Sequence, residues 1–349
     1  MPQPSETLSI ALLAVPEAAA STVLSLFDVF ASVGRDWETL IEGRPARPRI
    51  STTIVAERAG PLTVANGVRL HAEHGIDQWP QPDIVCVPDL LVAPASWCPG
   101  THPAAVRWLT QCHTGGSLIA SACSGALLLA EAGLLDGQEA TIHWAYADTL
   151  RRHFPQVHVR AHQTLVCSGI GQRVVTAGGG ASWQDLVLYL IAREFGLEEA
   201  MKIARLYLFE WHERGQSPYA TTVRSARTND GLIAEAQSWL AANYARHHPV
   251  ASVIERSGLA ERTFKRRFNQ AAGMTPIEYV HTLRLEAAKA RLETGNAVIE
   301  AVAEAVGYED ASFFRRLFRR RVGMTPTEYR RRFTGLRLAV ADPEKNVPR

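Results

Sequence analysis

The sequence predicts two domains of different class: an α/β domain with a largely parallel sheet and helices on both faces, then an all-α domain with two helix-turn-helix units. Three observations predict it. Short apolar runs alternate with helical patterns early in the 349-residue chain, strand signals cease after about residue 215, and "GMTPIEY" at Gly273 returns as "GMTPTEY" at Gly323. The length favours two domains. A content of 46% hydrophobic and 21% charged residues supplies ample core for a soluble globular chain.

The strands come first. "LSIALLAV", "IVCVPDLLV" and "SLIASACS" are apolar runs short enough for buried strands. Between and after them, "STVLSLFDVFASVG", "HPAAVRWLTQCHTGG", "SGALLLAEAGLLDG" and "ASWQDLVLYLIAREFG" carry apolar residues three and four apart and end at glycine, the pattern of amphipathic helices. That alternation is the signature of a parallel sheet. The expected boundaries are 1–215 for this domain, 216–229 for a linker around Ser217 and Pro218, 230–335 for the helical domain, and 336–349 for a flexible tail. Asp230 is a suitable N-cap for the first helix of the second domain.

The repeated turn belongs to a larger repeat. Residues Ser257 to Tyr279 align with Val306 to Tyr329, with one extra residue in the second copy just after its glycine. Each copy reads as a short helix, a tight turn at glycine and a second helix, which is helix-turn-helix spacing. Phe264 and Phe268, like Phe314 and Phe318, stand four apart and share an inward face. The opposite faces present Arg262, Thr263, Lys265, Arg266 and Asn269 in one copy, and Ser312, Arg315, Arg316 and Arg319 in the other. Such faces suit the major groove, where Arg bridges guanine O6 and N7 and Lys holds phosphate. Charge points the same way: residues 1–229 hold 17 Lys/Arg against 21 Asp/Glu, whereas residues 230–349 hold 20 against 14. In the repeated turn, Thr275 and Thr325 can cap helices whose first residues, Pro276 and Pro326, need no N–H partner.

Over roughly 105 residues the chain resembles the AraC-type transcription regulators, through the double unit, Arg284, Leu285 and Ala288 as "R-L-x-x-A", "VGYEDASFFRRLF" and the closing "GMTPTEYRRRF". The resemblance implies two recognition helices entering successive major-groove segments of double-stranded operator DNA, about 34 Å apart. It also implies base and phosphate roles for the outward residues named above. The first copy departs from the family pattern at Ile254 and Ser257, where small alanines are usual.

In the first domain, Ala122, Cys123, Ser124 and Gly125 form a small-x-Cys-x-Gly junction between strand and helix, the steric requirement of a nucleophile elbow. A cysteine at a helix N-terminus is expected to have a lowered pKa, and His143 is a candidate base. The alternative is a buried structural cysteine beside a satisfied histidine. "ACSGALLLAEAGLLDGQEATIHW" and "VVTAGGGASWQDLVLYLIAREFG" resemble the ThiJ/PfpI superfamily, which implies a flavodoxin-like fold related to class I glutamine amidotransferases over about residues 7–215. With the helical domain behind it and "RGQSPY" at the join, the whole resembles the GlxA-like regulators. Enzymes of the superfamily supply an acid beside the cysteine and oxyanion donors; this chain offers Glu17 as a candidate acid, or as a cap of the first helix, and has "VPDLL", where Pro88 has no N–H to donate.

The reading that follows is a cytoplasmic, sequence-specific transcription regulator rather than an enzyme, sensing a small metabolite in a pocket of Glu17, Pro88, Asp89, Cys123, Ser124, His143 and Trp144 at the strand carboxyl ends. The resemblance implies a nitrogen-containing effector, such as an amino acid or quaternary amine. The other expected partners are a second copy in a homodimer and, for an activator, RNA polymerase. The rivals are a thiol-dependent hydrolase or hydratase, with Cys123 as nucleophile and His143 and Glu17 in support, fused to a DNA-binding domain, and a promiscuous nucleoid-type binder.

Other signals are weak. Cys86, Cys98, Cys112, Cys123 and Cys167 lack the spacing of a disulfide framework or zinc site, and fit a reducing compartment. No basic residue precedes the apolar start, which argues against a signal peptide, and no run is long enough for a membrane span. "GIGQRVVTAGGG" lacks dinucleotide-loop spacing, and His247, His248, His158 and His162 lack a third ligand, so neither cofactor nor metal is called for. Asp28 and Asp185 read as structural.

Overall fold

The computed structural model describes residues 7–79, 81–221 and 230–334. The chain divides into two compact units, Met1–Gln216 and Ser217–Arg349. Most of the expected linker, at 222–229, and the whole expected tail lie outside the described residues.

The first unit opens with β1 (Leu8–Leu13), α1 (Ala20–Ser32), α2 (Asp36–Leu40), β2 (Ile50–Ala56), β3 (Gly60–Thr63), β4 (Arg69–Ala72) and β5 (His74–Gly75). It continues through β6 (Ile84–Val87), α3 (Pro103–Gly115), β7 (Leu118–Ala122) and α4 (Ala126–Glu131). After β8 (Glu139–Ala140), α5 (Ala147–His153), β9 (His158–Val159), β10 (Leu165–Ser168) and β11 (Val174–Ala177), it closes with α6 (Ser182–Phe195) and α7 (Leu197–Tyr207). Among the described residues the main sheet runs in the order β10-β11-β7-β6-β1-β2-β5. Every neighbouring pair is parallel except β10 with β11 at the edge.

Continuous apolar strands are what a sheet covered on both faces demands. β6 and β7 are buried along their whole length. Helix α1 packs with α6 against β2, β7 and β11, while α3 packs with α4 against β7, giving two helical layers. This is the α/β architecture the alternation predicted. Its consequence for function is positional: Ala14–Glu17 after β1, Pro88 and Asp89 after β6, Cys123 after β7 and Gly178–Gly180 after β11 all lie at strand carboxyl ends.

The second unit is helical: α8 (Gly231–Asn243), α9 (Pro249–Ser257), α10 (Glu261–Ala272), α11 (Pro276–Thr294), α12 (Ile299–Ala305), α13 (Ala311–Val322) and α14 (Pro326–Phe333). Asp230 caps α8, its side chain accepting from Ile233 N–H at 3.2 Å. The repeated "GMTP" turns are built alike. Gly273 and Gly323 end α10 and α13 at φ of 69° and 82°, a region that favours glycine. Thr275 and Thr325 then cap α11 and α14, and Glu278 and Glu328 return the bond to the threonine N–H at 2.9 and 2.8 Å. Both are complete capping boxes with Pro at the first helical position.

Each copy has its own core. Phe264, Phe268 and Tyr279 belong to one, Phe314, Phe318 and Tyr329 to the other, all buried. The second phenylalanine meets the tyrosine of its own repeated turn at 5.6 Å between centroids in both copies. So the repeated tyrosine packs against α10 in the first copy and α13 in the second. The 19-residue α11 joins the copies; at 1.5 Å per residue it spans about 28 Å.

Candidate functional site

The helical unit presents the cationic faces as its periodicity required. Arg262, Thr263, Lys265, Arg266 and Asn269 on α10 are exposed, as are Ser312, Arg315, Arg316 and Arg319 on α13, while the paired phenylalanines point inward. The exposed cations differ in freedom. Lys265 is paired with Glu261 on its own helix, Arg315 with Glu300 of α12, and Arg316 lies 4.0 Å from the helix-capping Asp310. Among the described residues Arg262, Arg266 and Arg319 have no ion-pair partner. Exposed pairs of this kind are weak, typically worth less than about 1 kcal/mol.

The two copies are tied by Arg284 on α11, which is buried. Its Nε donates to Tyr244 O at 2.8 Å, a second nitrogen donates to Arg246 O at 3.0 Å, and its guanidinium lies 5.0 Å over the Tyr308 ring. Both carbonyls follow α8 and the ring follows the turn of the second copy. One side chain therefore fixes the end of α8, α11 and the second turn together.

In the α/β unit, Cys123 adopts φ of +55°, left-handed backbone that costs a non-glycine residue on the order of 1–3 kcal/mol. The sharp turn requires Gly125, where an added Cβ would stand 2.5 Å from Pro88 O and 2.6 Å from Val87 O. Ser124 is fully buried; its Oγ donates to Leu90 O at 2.8 Å and accepts from Leu90 N–H at 2.7 Å. The elbow is thus stitched to the Pro88–Leu90 segment.

The electrostatics run against a nucleophile. The Cys123 thiol is pushed up to about 11, first by burial and then by the neighbouring Asp89, although the N–H groups of Ser124 and Gly180 pull it down. This corrects the expectation that the helix N-terminus lowers it: the turn buries the sulfur, and desolvation outweighs the dipole. His143 is no base for it. Burial lowers the His143 pKa, and its Nδ1 accepts from Ala145 N–H at 3.0 Å, leaving the proton on Nε2. No hydrogen bond joins His143 to Cys123 among the described residues.

Glu17 is placed elsewhere. Its Oε2 lies 2.9 Å from His102 Nε2, and α1 has no side-chain cap, so Glu17 does not cap that helix. The acid whose charge reaches Cys123 is Asp89, its pKa raised by burial, with Oδ1 buried and lacking a hydrogen-bond partner. Tyr146, absent from the sequence reading, closes this side: its hydroxyl donates to Val92 O at 2.6 Å, and its pKa is raised by burial and then by Cys123. Trp144 is half-buried against His143, with ring centroids 4.9 Å apart.

Gln216, placed at the head of the linker by the sequence, is buried in the α/β unit. Its Oε1 accepts from Gly179 N–H at 2.6 Å and Trp144 N–H at 3.3 Å. A lone glutamine in a Gly-Ser-Pro segment carries no signal of this. Asp185 is structural, buried and bound to His212 N–H at 3.0 Å and to His212 Nδ1 at 2.9 Å, whereas Asp28 is exposed. Among the described residues no group of three or more His, Cys, Asp or Glu is placed to hold a metal, and no helix is long and apolar enough to cross a membrane.

A profile of the DJ-1/PfpI family matches residues 10–192, more than half of the chain. The chain belongs to the DJ-1/PfpI family. A helix-turn-helix domain profile matches residues 253–332, covering both copies behind the DJ-1/PfpI unit. The chain is similar to the HTH-type transcriptional regulator CdhR of Pseudomonas aeruginosa, 28% identical over 287 residues that make up 79% of this chain and 80% of CdhR. It is 29% identical over 221 residues to the HTH-type transcriptional regulator GlxA of Rhizobium meliloti, covering 62% of this chain and 66% of GlxA. A crystal structure of an AraC family transcriptional regulator from Pseudomonas putida matches 57% of this chain and 99% of its own, at 18% identity and a TM-score of 0.47. The DJ-1/PfpI unit therefore precedes an AraC-type reader, and the chain is a DNA-binding transcription regulator of the AraC and GlxA type.

Proposed function

We propose that this regulator reads an operator with α10 and α13 in successive major-groove segments, and that its DJ-1/PfpI unit senses a small nitrogen-containing metabolite beside Cys123. One observation carries the first half: two buried phenylalanine pairs hold nine polar and cationic residues outward on helices joined by one 19-residue rod. In this reading Arg262, Arg266, Arg316 and Arg319 supply base and phosphate contacts, and Thr263, Lys265, Asn269, Ser312 and Arg315 complete the two faces.

The sensing half is supported by the elbow's chemistry. A neutral, buried thiol next to an orphaned carboxyl oxygen of Asp89 is suited to accept a ligand's hydrogen bonds, since buried polar atoms without partners are rare. In this reading Pro88, His143 and Trp144 line the same edge, Ser124 holds the elbow in place through Leu90, and Glu17 acts through His102. A homodimer would place two readers on one operator, and an activator would then meet RNA polymerase there.

Mapping bound sites genome-wide and measuring operator affinity tests the reading. The ratio of specific to non-specific affinity at one salt concentration is expected to exceed about 10³; a ratio near one overturns it. Cys123→Ser is expected to keep operator binding, whereas a thiol hydrolase would lose its turnover.

A further inference from the structure

The segment "HERGQSPYA" is held at both ends by different units. On the DJ-1/PfpI side, His212 is bound by Asp185, Gln216 N–H donates to His162 O at 2.8 Å, and the Gln216 carboxamide is sunk among backbone groups. Its Nε2 stands 2.9 Å from Gln163 O, 3.0 Å from Ile142 O, 3.2 Å from Ala161 O and 3.3 Å from Thr141 Oγ1. Gly178 and Gly179 leave room for it: an added Cβ at either would run into the Gln216 side chain. Within the helical unit, the next residues are gripped again. Buried Lys289 of α11 donates to Ala220 O, and Arg332 of α14 donates to the Tyr219 hydroxyl at 2.6 Å while that ring meets Phe333 at 5.5 Å.

We propose that this nest of oxygens is a ligand subsite for a nitrogen that donates hydrogen bonds, that the Gln216 carboxamide is its resident occupant, and that the seating of Gln216 sets the strap Ser217–Ala220 gripped by the DNA-reading unit. The donor count gives the ligand class. The Thr141 hydroxyl donates to Gln163 O at 2.7 Å, so with the two carboxamide N–H groups the nest holds three donated hydrogens for four oxygens; a primary ammonium brings three N–H groups of its own and a positive charge. An effector bearing one competes for these oxygens and unseats Gln216. Gln216 also fixes Gly179, whose neighbour Gly180 directs its N–H to the Cys123 thiol, so the subsite and the elbow share one loop. Only Ser217 and Pro218 separate Gln216 from Tyr219, and the proline ring restricts the backbone between the two anchors. The inference deepens the sensing reading and rests on it for the effector alone.

The test needs no effector. Gln216→Ala in the full chain removes four heavy atoms, the atoms of acetamide. The variant is expected to melt several degrees lower, and acetamide at about 10 to 100 mM is expected to raise its melting temperature while leaving the wild type unmoved. N,N-dimethylacetamide, with no N–H, is expected to rescue nothing. In the same variant, amide exchange at Tyr219 to Thr221 is expected to quicken at least tenfold. Absence of acetamide rescue, equal rescue by the dimethyl compound, or unchanged exchange overturns the proposal. Should Gln216→Ala fail to fold, Lys289→Met releases the strap from its other end, and Tyr219 to Thr221 exchange must quicken tenfold or the strap is refuted. A regulator that senses nothing would instead show the rescue intact with no small molecule shifting the wild type, so the two failures are told apart.

Discussion

Cys123 shows how far a motif reaches at the level of one residue. The small neighbours foretell a sharp turn, and the turn is present, but the same turn buries the sulfur and reverses the expected direction of its pKa. Alkylation of Cys123 by iodoacetamide is therefore expected to stay slow at neutral pH and to climb towards pH 11; a fast reaction at pH 7 would restore the nucleophile reading. Because the unfolded thiol ionises first, this group's contribution to stability is full below about pH 8.5 and is lost as pH rises towards 11. The histidines act at the other end. His143 and His281 are held below the ordinary imidazole value, chiefly by burial, so the folded chain binds fewer protons than the unfolded one near pH 6. Their contribution is full above about pH 6.5 and falls away as pH drops through the folded values, and thermal melting against pH should show that acid-side slope. On the reading helix, Arg316→Ala is expected to cost about 1–3 kcal/mol on the best site and less on unrelated DNA. Equal losses on all sequences, measured by titration at fixed salt, would reduce Arg316 to a phosphate contact.

Secondary elements were legible in proportion to how locally they are determined. The Phe264/Phe268 and Phe314/Phe318 spacing alone located α10 and α13 and their outward faces, because a helix's period assigns its sides. The turns were legible for the same reason, since Thr275 and Thr325 meet their partners only three residues on. Thr325→Ala should accordingly lower stability by about 1 kcal/mol in chemical denaturation of the helical unit. Long-range partners left no local trace. Tyr146 reaches Val92 and Gln216 reaches Ile142 and Gln163 across the fold, so the pocket read from the sequence lacked both, and it included Glu17, which turned to His102. Arg284 was visible as a motif, but its clamp on Tyr244 and Arg246 was not. Arg284→Met, which keeps the stem and loses the donors, is expected to destabilise the helical unit by about 1–3 kcal/mol. A loss confined to one copy, seen by amide exchange, would show that the clamp does not join the two.

At the scale of the whole chain, one covalent strand carries a DJ-1/PfpI unit and a helix-turn-helix unit whose charge balance is opposite to it. The reader's design depends on spacing. Each of α10 and α13 is packed by its own aromatic core, and α11 contributes to both, with Tyr279 and Val280 in the first and Leu285, Ala288 and Leu292 in the second; the proposed reading requires the two helices to meet segments one duplex turn apart, roughly 34 Å. In the proposed reading the repeat serves two helices that meet one face of one duplex. The most direct measurement takes a mapped binding site and inserts five base pairs between the segments protected by the two copies, which turns the second segment to the far side of the helix. Affinity for the full chain is expected to fall at least tenfold, the contribution of one base-reading contact or more. Unchanged affinity after the insertion would mean that the two helices do not read one face of the duplex together.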